Sequence, residues 1–448
     1  MKKILFALLA LATSASCFNA CSSDDIVETA PASSACIVSG VTLGKIPCVV
    51  RAISSEGTDS FYVANISGEY YPVTIDHYNG RIFNVDSLPY GTDVAKVTFY
   101  RLSSSGVLAI STLEDSNVDT LFVATDSTDF THPRKVTVFA LDNLSSRSYM
   151  MEVRVHQEYG DSFIWRKACE PVEALQNMNA SATLTTTDSL YVFGTRNDEH
   201  VLCATALNNP NAWTTTALNM PLASVVTYND KFYAVSQERL VVSEDARTWA
   251  TIATAPEGVH AVLAQPNALT MATSTGFYTS ADGTTWTSEI ADEPEFMPTS
   301  NVAMMFNYAS YDPNFIEVYA VGETSLKTVV WKHNLDLMAG DTYAWNYYPE
   351  SASNKQKAPY LENRQLYAYD GAILMTGNNN EGTHALYMSQ DGGRTWNNKI
   401  IPTCDSINSR TISAVDKNHF VWLISQQGEV YRGRYNRLGW VRQDVVFQ

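Results

Sequence analysis

The chain of 448 residues is short of charge. Asp, Glu, Lys and Arg make up 17% of it, against 45% hydrophobic residues. What charge there is leans one way, with 47 acids and 30 bases, and a net −17 disfavours nucleic acid and anionic membrane faces as partners. No Cys-x-x-Cys and no Cys/His cluster at metal-ligand spacing occurs, so neither a metal nor another cofactor is expected. Gly-x-Ser-x-Gly, His-Glu-x-x-His and a phosphate loop are also missing, and no catalytic residue is assigned. After the first 20 residues no apolar run is long enough to span a bilayer.

Aromatic residues are plentiful, with 24 Tyr, 17 Phe and 9 Trp, and they favour a β-rich, exported chain. One stretch recurs three times. Ser243-Glu-Asp245-Ala-Arg-Thr-Trp249, Ser280-Ala-Asp282-Gly-Thr-Thr-Trp286 and Ser389-Gln-Asp391-Gly-Gly-Arg-Thr-Trp396 each follow an apolar run. The chemistry is that of a β-hairpin turn: Ser and Asp bond backbone, Gly takes a positive φ, and Trp anchors the returning strand. The pattern resembles the Asp-box, or BNR repeat, of β-propellers. The third copy has the full spacing and the first two are one residue shorter.

Around these copies, Trp213, Trp249, Trp286, Trp345, Trp396 and Trp440 each follow a strand–turn unit and are expected to open another strand. Units of that size with four short strands read as propeller blades, six in number, with seven as the alternative. The stretch Phe163-Ile-Trp-Arg166 reads as one more outer strand, able to complete the last blade and close the ring.

The N-terminal part is different. Residues 1–20 read as an export signal, Lys2 and Lys3 followed by an apolar core. The run Ala20-Cys21-Ser-Ser-Asp-Asp25 resembles the lipidation site of a Bacteroidetes surface lipoprotein, with Cys17 as the alternative lipidated residue. A polar tether follows over 21–36. Residues 37–158 alternate as short strands of a β-sandwich. There Pro89-Tyr-Gly-Thr-Asp93, Asp129-Phe-Thr-His-Pro133 and the closing Val153-Arg-Val155 resemble the Ig-like spacer domains of such lipoproteins. The expected fold is therefore all-β, an Ig-like β-sandwich followed by a six- or seven-bladed propeller over 161–448. The whole resembles a Bacteroidales family carried as a domain of unknown function. Of the seven cysteines, an oxidising compartment would allow Cys36 with Cys48 and Cys169 with Cys203. Cys203 and Cys404 also read as buried thiols.

The resemblance to Asp-box propellers raises a sialidase, but the residues depart from that pattern. The tripeptide similar to the Arg-Ile-Pro sought early in the first blade, Lys45-Ile-Pro47, carries Lys and falls in the N-terminal domain, and Arg247 and Arg394 lie inside the repeats. Arg196, Arg364 and Arg410 remain as inner-strand arginines without a telling spacing. A glycosidase needs two facing carboxylates, and Asp292, Glu293, Glu295, Glu317 and Glu362 are the acids at hand. For binding, Tyr343, Tyr347, Tyr348 and Tyr360 offer rings for stacking on sugars, and Asn379 a polar hairpin tip. The strand pattern puts at least one of Tyr347 and Tyr348 in the core. The reading is an outer-membrane lipoprotein facing the exterior, held to the membrane by its lipid alone, that binds an extracellular glycan or protein. A glycoside hydrolase or lyase, and a structural part of an uptake complex, are the alternatives. Oligomeric state is open.

Overall fold

A computed structural model describes residues 32–53, 59–123, 126–339 and 343–440. Cys17, Cys21 and the export signal lie outside them. The described residues up to Gln157 form one compact unit and those from Glu158 onward a second. All regular structure is strand apart from five short 3₁₀ turns, so the all-β expectation holds among the described residues.

In the first unit a six-stranded sheet runs in the order Val73–Asp76, Arg81–Asn84, Ser146–Glu152, Arg134–Phe139, Val107–Ser111, Asp119–Leu121. Its one parallel pair joins Arg81–Asn84 to Ser146–Glu152. Val38–Leu43 pairs with Phe99–Ser104, and Lys45–Ile53 forms a hairpin with Asp59–Ser67. Alternating residues Val136, Val138, Tyr149 and Met151 meet Val38, Leu43, Ile46 and Phe99 in one core. The Asp129 motif works locally. Its carboxylate accepts the Thr131 N–H at 2.8 Å, and the buried Arg134 bonds the carbonyls of Ser111 and Asp129 at 2.9 Å.

The second unit holds six antiparallel sheets of consecutive strands, numbered here 1 to 6 and running over 179–217, 223–251, 259–288, 300–347, 362–389 and 411–433. The first strand of each sheet meets the first strand of the next, and that of sheet 6 meets that of sheet 1. The strand Arg166–Cys169 pairs with Val430–Gly433 and gives sheet 6 its outer edge. The first and last strands of the second unit thus share one sheet.

Each neighbouring pair of sheets encloses its own apolar cluster, from Phe193 with Trp249 between sheets 1 and 2 to Cys203 with Trp422 between sheets 6 and 1. The first strands of sheets 1 to 5 slip register near their starts. Such bulges turn a side chain towards the neighbouring sheet. Ser181 Oγ donates to Leu222 O at 2.6 Å, Ser224 Oγ to Val262 O at 3.0 Å, and Asn301 Nδ2 to Leu361 O at 2.6 Å.

Three sequence expectations need correction. Trp213 lies inside its outer strand, Asn209–Ala217, rather than opening it. Trp440 opens no strand among the described residues; it caps a 3₁₀ turn, Asn436–Gly439. Trp165, one residue before Arg166–Cys169, takes its place, as Trp249, Trp286 and Trp345 precede the outer strands of their sheets. The reason is topological, since the outer strand of the last sheet comes from the start of the ring. The five described cysteines, Cys36, Cys48, Cys169, Cys203 and Cys404, are free thiols.

Candidate functional site

The three Ser-x-Asp turns are built alike. Asp245 Oδ1 accepts Ser243 Oγ at 3.0 Å and the amides of Arg247 and Thr248 at 2.8 Å. Asp282 accepts Ser280 Oγ at 3.0 Å, Thr284 N at 2.8 Å and Thr285 N at 2.7 Å. Asp391 accepts Ser389 Oγ at 2.9 Å, Arg394 N at 3.1 Å and Thr395 N at 2.9 Å. The backbone bonds, from Thr248 and Arg247 and from Thr285 and Thr284, hold Asp245 and Asp282 below the usual carboxylate range. At Asp391 burial opposes ionisation, but the bonds from Thr395 and Ser389 outweigh it.

Each turn packs against the sheet before its own. Tyr228 Oη of sheet 2 donates to Ala281 O at 2.9 Å, and a Cβ on Gly392 would come within 3.0 Å of Tyr319 Oη in sheet 4. Trp249 and Trp396 are buried and donate to Ala246 O and Gly393 O of their own turns at 3.2 and 3.0 Å. These turns are therefore locks between sheets.

The third lock carries something more. The segment from Tyr348 to Leu361, linking sheets 4 and 5, folds over it. Asn354 Nδ2 donates to Arg394 O at 2.9 Å, and Trp396 N donates to Gln356 O at 2.9 Å. Between segment and turn lies an open hollow of ≈ 840 Å³, counting the solvent at its mouth. Its walls are Thr328, Tyr348, Glu350, Ser351, Asn354, Lys357, Arg394 and Thr395 among others. The guanidinium of Arg394 sits 5.5 Å from the centre of the Tyr348 ring. Lys357 Nζ meets Glu350 at 2.9 Å. An aromatic face, a cation held by that face, the Lys357 ammonium and the hydroxyls of Ser351 and Thr395 can receive a polar ring with hydroxyl groups, while the Asn354 amide is spent on Arg394 O and Gln356 N.

Of the residues singled out from sequence, Tyr348 lines this hollow. Tyr347 is 5% exposed and stacks on Phe296 at 4.5 Å, so it belongs to the core and offers no platform. Alternation along Asn346–Tyr347 sends it inward. Tyr343 and Tyr360 are half exposed and lie outside the hollow's lining. Asn379 Oδ1 is taken up by its own turn, accepting Glu381 N at 3.0 Å and Thr383 N at 3.1 Å. Lys357, Glu350, Asn354 and Arg394 were not legible as site residues, because a loop fold brings them together.

The acids considered for catalysis are partly engaged elsewhere. Asp292 accepts Tyr347 N at 2.9 Å, Glu317 is bonded by Lys332 and Tyr319, and Glu362 pairs with Arg410 at 2.7 Å. Arg364 is enclosed between sheets 4 and 5 against Glu323. Arg196 bonds the carbonyl of Ala174 at 2.9 Å. Among the described residues no group of three or more His, Cys, Asp and Glu is placed to hold a metal ion.

The chain belongs to the DUF6242 family: the DUF6242 β-propeller domain matches residues 159–443, and the N-terminal domain of unknown function DUF6242 matches 45–153. The six-sheet unit is thus a β-propeller domain. Comparison with curated proteins finds no match. Among solved structures, the WD40 domain of Toxoplasma gondii coronin is similar at 10% identity and TM-score 0.33, over 61% of this chain and 87% of that one. The Aleuria aurantia lectin, solved with α-methyl-L-fucoside, is similar at 12% and 0.33, over 57% and 90%. The surface component PorZ of the Porphyromonas gingivalis type-IX secretion system is similar at 11% and 0.32, over 88% and 62%. None of these likenesses bears on function.

Proposed function

We propose that this DUF6242 member is an outer-membrane lipoprotein whose propeller, six-bladed and carried on an Ig-like spacer, binds an extracellular glycan without cleaving it. The observation that carries the reading is the hollow between sheets 4 and 5, where Arg394 lies over Tyr348 beside Asn354, Ser351 and Lys357. The ring supplies a stacking face, and the Arg394 guanidinium, Lys357 and the Ser351 hydroxyl supply hydrogen bonds to hydroxyls. The three Ser-x-Asp turns act in this reading as structural Asp-boxes, one of which doubles as a wall of the site.

The test is affinity electrophoresis of soluble residues 22–448 in gels containing host or plant polysaccharides, with released sugars assayed in parallel. Retardation without products is expected. Arg394→Ala or Tyr348→Ala should weaken it about tenfold, the loss of one charge-assisted hydrogen bond or one stacking face. Released sugar would sink the non-catalytic reading.

A second reading, docking within a protein assembly, has one observation behind it. On the strand Asp59–Ser67, Phe61, Tyr62 and Val63 are 58%, 54% and 71% exposed, and among the described residues no strand covers its outer edge. Such an edge suits an added strand from a partner. Absence of any retardation would bring this reading forward.

A further inference from the structure

We infer that the sheet closing the ring carries an anion-binding site made by Arg166, Arg432 and Arg434, suited to sulfate or carboxylate groups on a polysaccharide. Arg166 stands directly opposite Arg432 in the antiparallel register of the closing strand. Like charges in that position destabilise a sheet unless something lies between them. Among the described residues none of the three arginines forms an ion pair with a carboxylate, while their neighbours do. Lys167 meets Glu170 at 2.7 Å, Lys417 meets Asp188 at 3.7 Å, and Arg437 bridges Asp161 and Asp370. A chain with 47 acids and 30 bases had carboxylates to spare for this spot.

The guanidinium groups are nevertheless held in place. Arg432 lies 4.7 Å from the centre of the Phe420 ring and 5.1 Å from that of Trp422, and Arg434 lies 4.2 Å from Phe420. One ring thus gathers two cations. Contact through the ring face uses none of the N–H donors. Arg434 spends one of its five on Asn418 O at 2.9 Å. Gly439 keeps the space for it, since a Cβ there would collide with the Arg434 guanidinium. Oriented donors without a carboxylate are what a tetrahedral or planar oxyanion needs for forked bonding. Arg432 lies in Val430–Gly433 and Arg434 one residue past its end, about 7 Å apart along an extended chain, a separation that one anion or two neighbouring anions on a polymer can bridge.

The proposal rests on the glycan reading only for the carrier of the anion, and uses none of the residues of the hollow between sheets 4 and 5. The test compares the soluble chain, an Arg432→Gln/Arg434→Gln double variant and Arg239→Gln, an exposed arginine of sheet 2 paired with Glu257, for binding to dextran sulfate, uncharged dextran and inorganic sulfate, each titrated against salt. Expected are binding of dextran sulfate but not dextran, loss of about tenfold or more in the double variant, and no comparable loss in Arg239→Gln. The double variant should melt no lower than the parent, because removing Arg432 relieves the repulsion with Arg166. A lower melting temperature with unchanged dextran sulfate affinity would overturn the proposal and make the trio structural. Equal loss in Arg239→Gln would make the effect one of overall charge and overturn the site, whereas retardation by neutral polysaccharides reads the hollow between sheets 4 and 5 alone. Inorganic sulfate binding as tightly as the polymer, or a single-stranded oligonucleotide competing equally, would overturn the polysaccharide carrier.

Discussion

Trp396 and Trp345 hold the same place in sheets 5 and 4, one residue before the outer pairing, and are anchored by different means. Trp396 donates to Gly393 O inside its own Ser-x-Asp turn, at 3.0 Å. The ten residues ending in Trp345 contain no serine and so no Ser-x-Asp. Trp345 stacks on Phe277 of sheet 3 at 3.8 Å and 12° and donates its indole N–H to the carboxylate of Glu289. Both are buried, at 2% and 0% exposure. One anchor is local in sequence and fully specified by eight residues; the other is borrowed from the neighbouring sheet. Their electrostatics differ too. Asp391 is held below the usual range against the pull of burial, while Glu289 is pushed up by burial, with the Trp345 bond opposing.

The largest test of the comparison is to remove each ring. Trp345→Ala and Trp396→Ala should each cost about 3–5 kcal/mol in urea unfolding, the range for deleting a large buried aromatic. If Trp345→Ala costs much less, the stacked anchor is weaker than the turn-built one.

The next test is the turn backbone. Gly283, at φ 74°, and Gly393, at φ 90°, occupy the left-handed region. Gly283→Ala and Gly393→Ala should cost about 1–3 kcal/mol by the same measurement. A Cβ on Gly283 would also meet Tyr233 Oη at 2.5 Å. Ala246 holds the matching place in the first copy at φ 60°, so Ala246→Gly should relieve strain and change stability little.

The smallest effect is in pH, and there the two anchors have opposite signs. The folded pKa of Asp391 is depressed, so its stabilisation is present above about pH 4 and is lost as pH falls through the folded value. The folded pKa of Glu289 is raised, so its contribution is full below the unfolded value and is lost as pH rises through the folded one. Thermal melts between pH 3 and 7 should show the gap between parent and Asp391→Asn closing towards acid. The gap between parent and Glu289→Gln should close, or reverse, towards neutral pH. Slopes of the same sign in both variants would refute the contrast.

Local chemistry was readable in the chain and long-range placement was not. The Ser243, Ser280 and Ser389 turns were legible because the bonds by which Asp245, Asp282 and Asp391 hold their own turns span four residues or fewer. The stretch around Trp165 was legible as the strand that completes the last sheet, and Arg166–Cys169 takes that place; Trp440 was read as a strand opener because the repeat spacing does not show that the outer strand of the last sheet is already supplied. Tyr347 and Tyr348 are adjacent and alike in sequence. Only the path of the 348–361 segment over the third turn puts Tyr348 against Arg394.

What the amino-acid sequence determined by itself is the all-β character, the repeat and the hydrogen bonding of its turns. These follow from alternation, β-propensity and Asp, Ser and Gly chemistry within a few residues. The tertiary structure alone decided which aromatics are buried, that Trp345 is held by Glu289, and that Arg166 faces Arg432 across the closing strands. Those outcomes depend on contacts between segments far apart in the chain, set by how six sheets pack face to face around one ring.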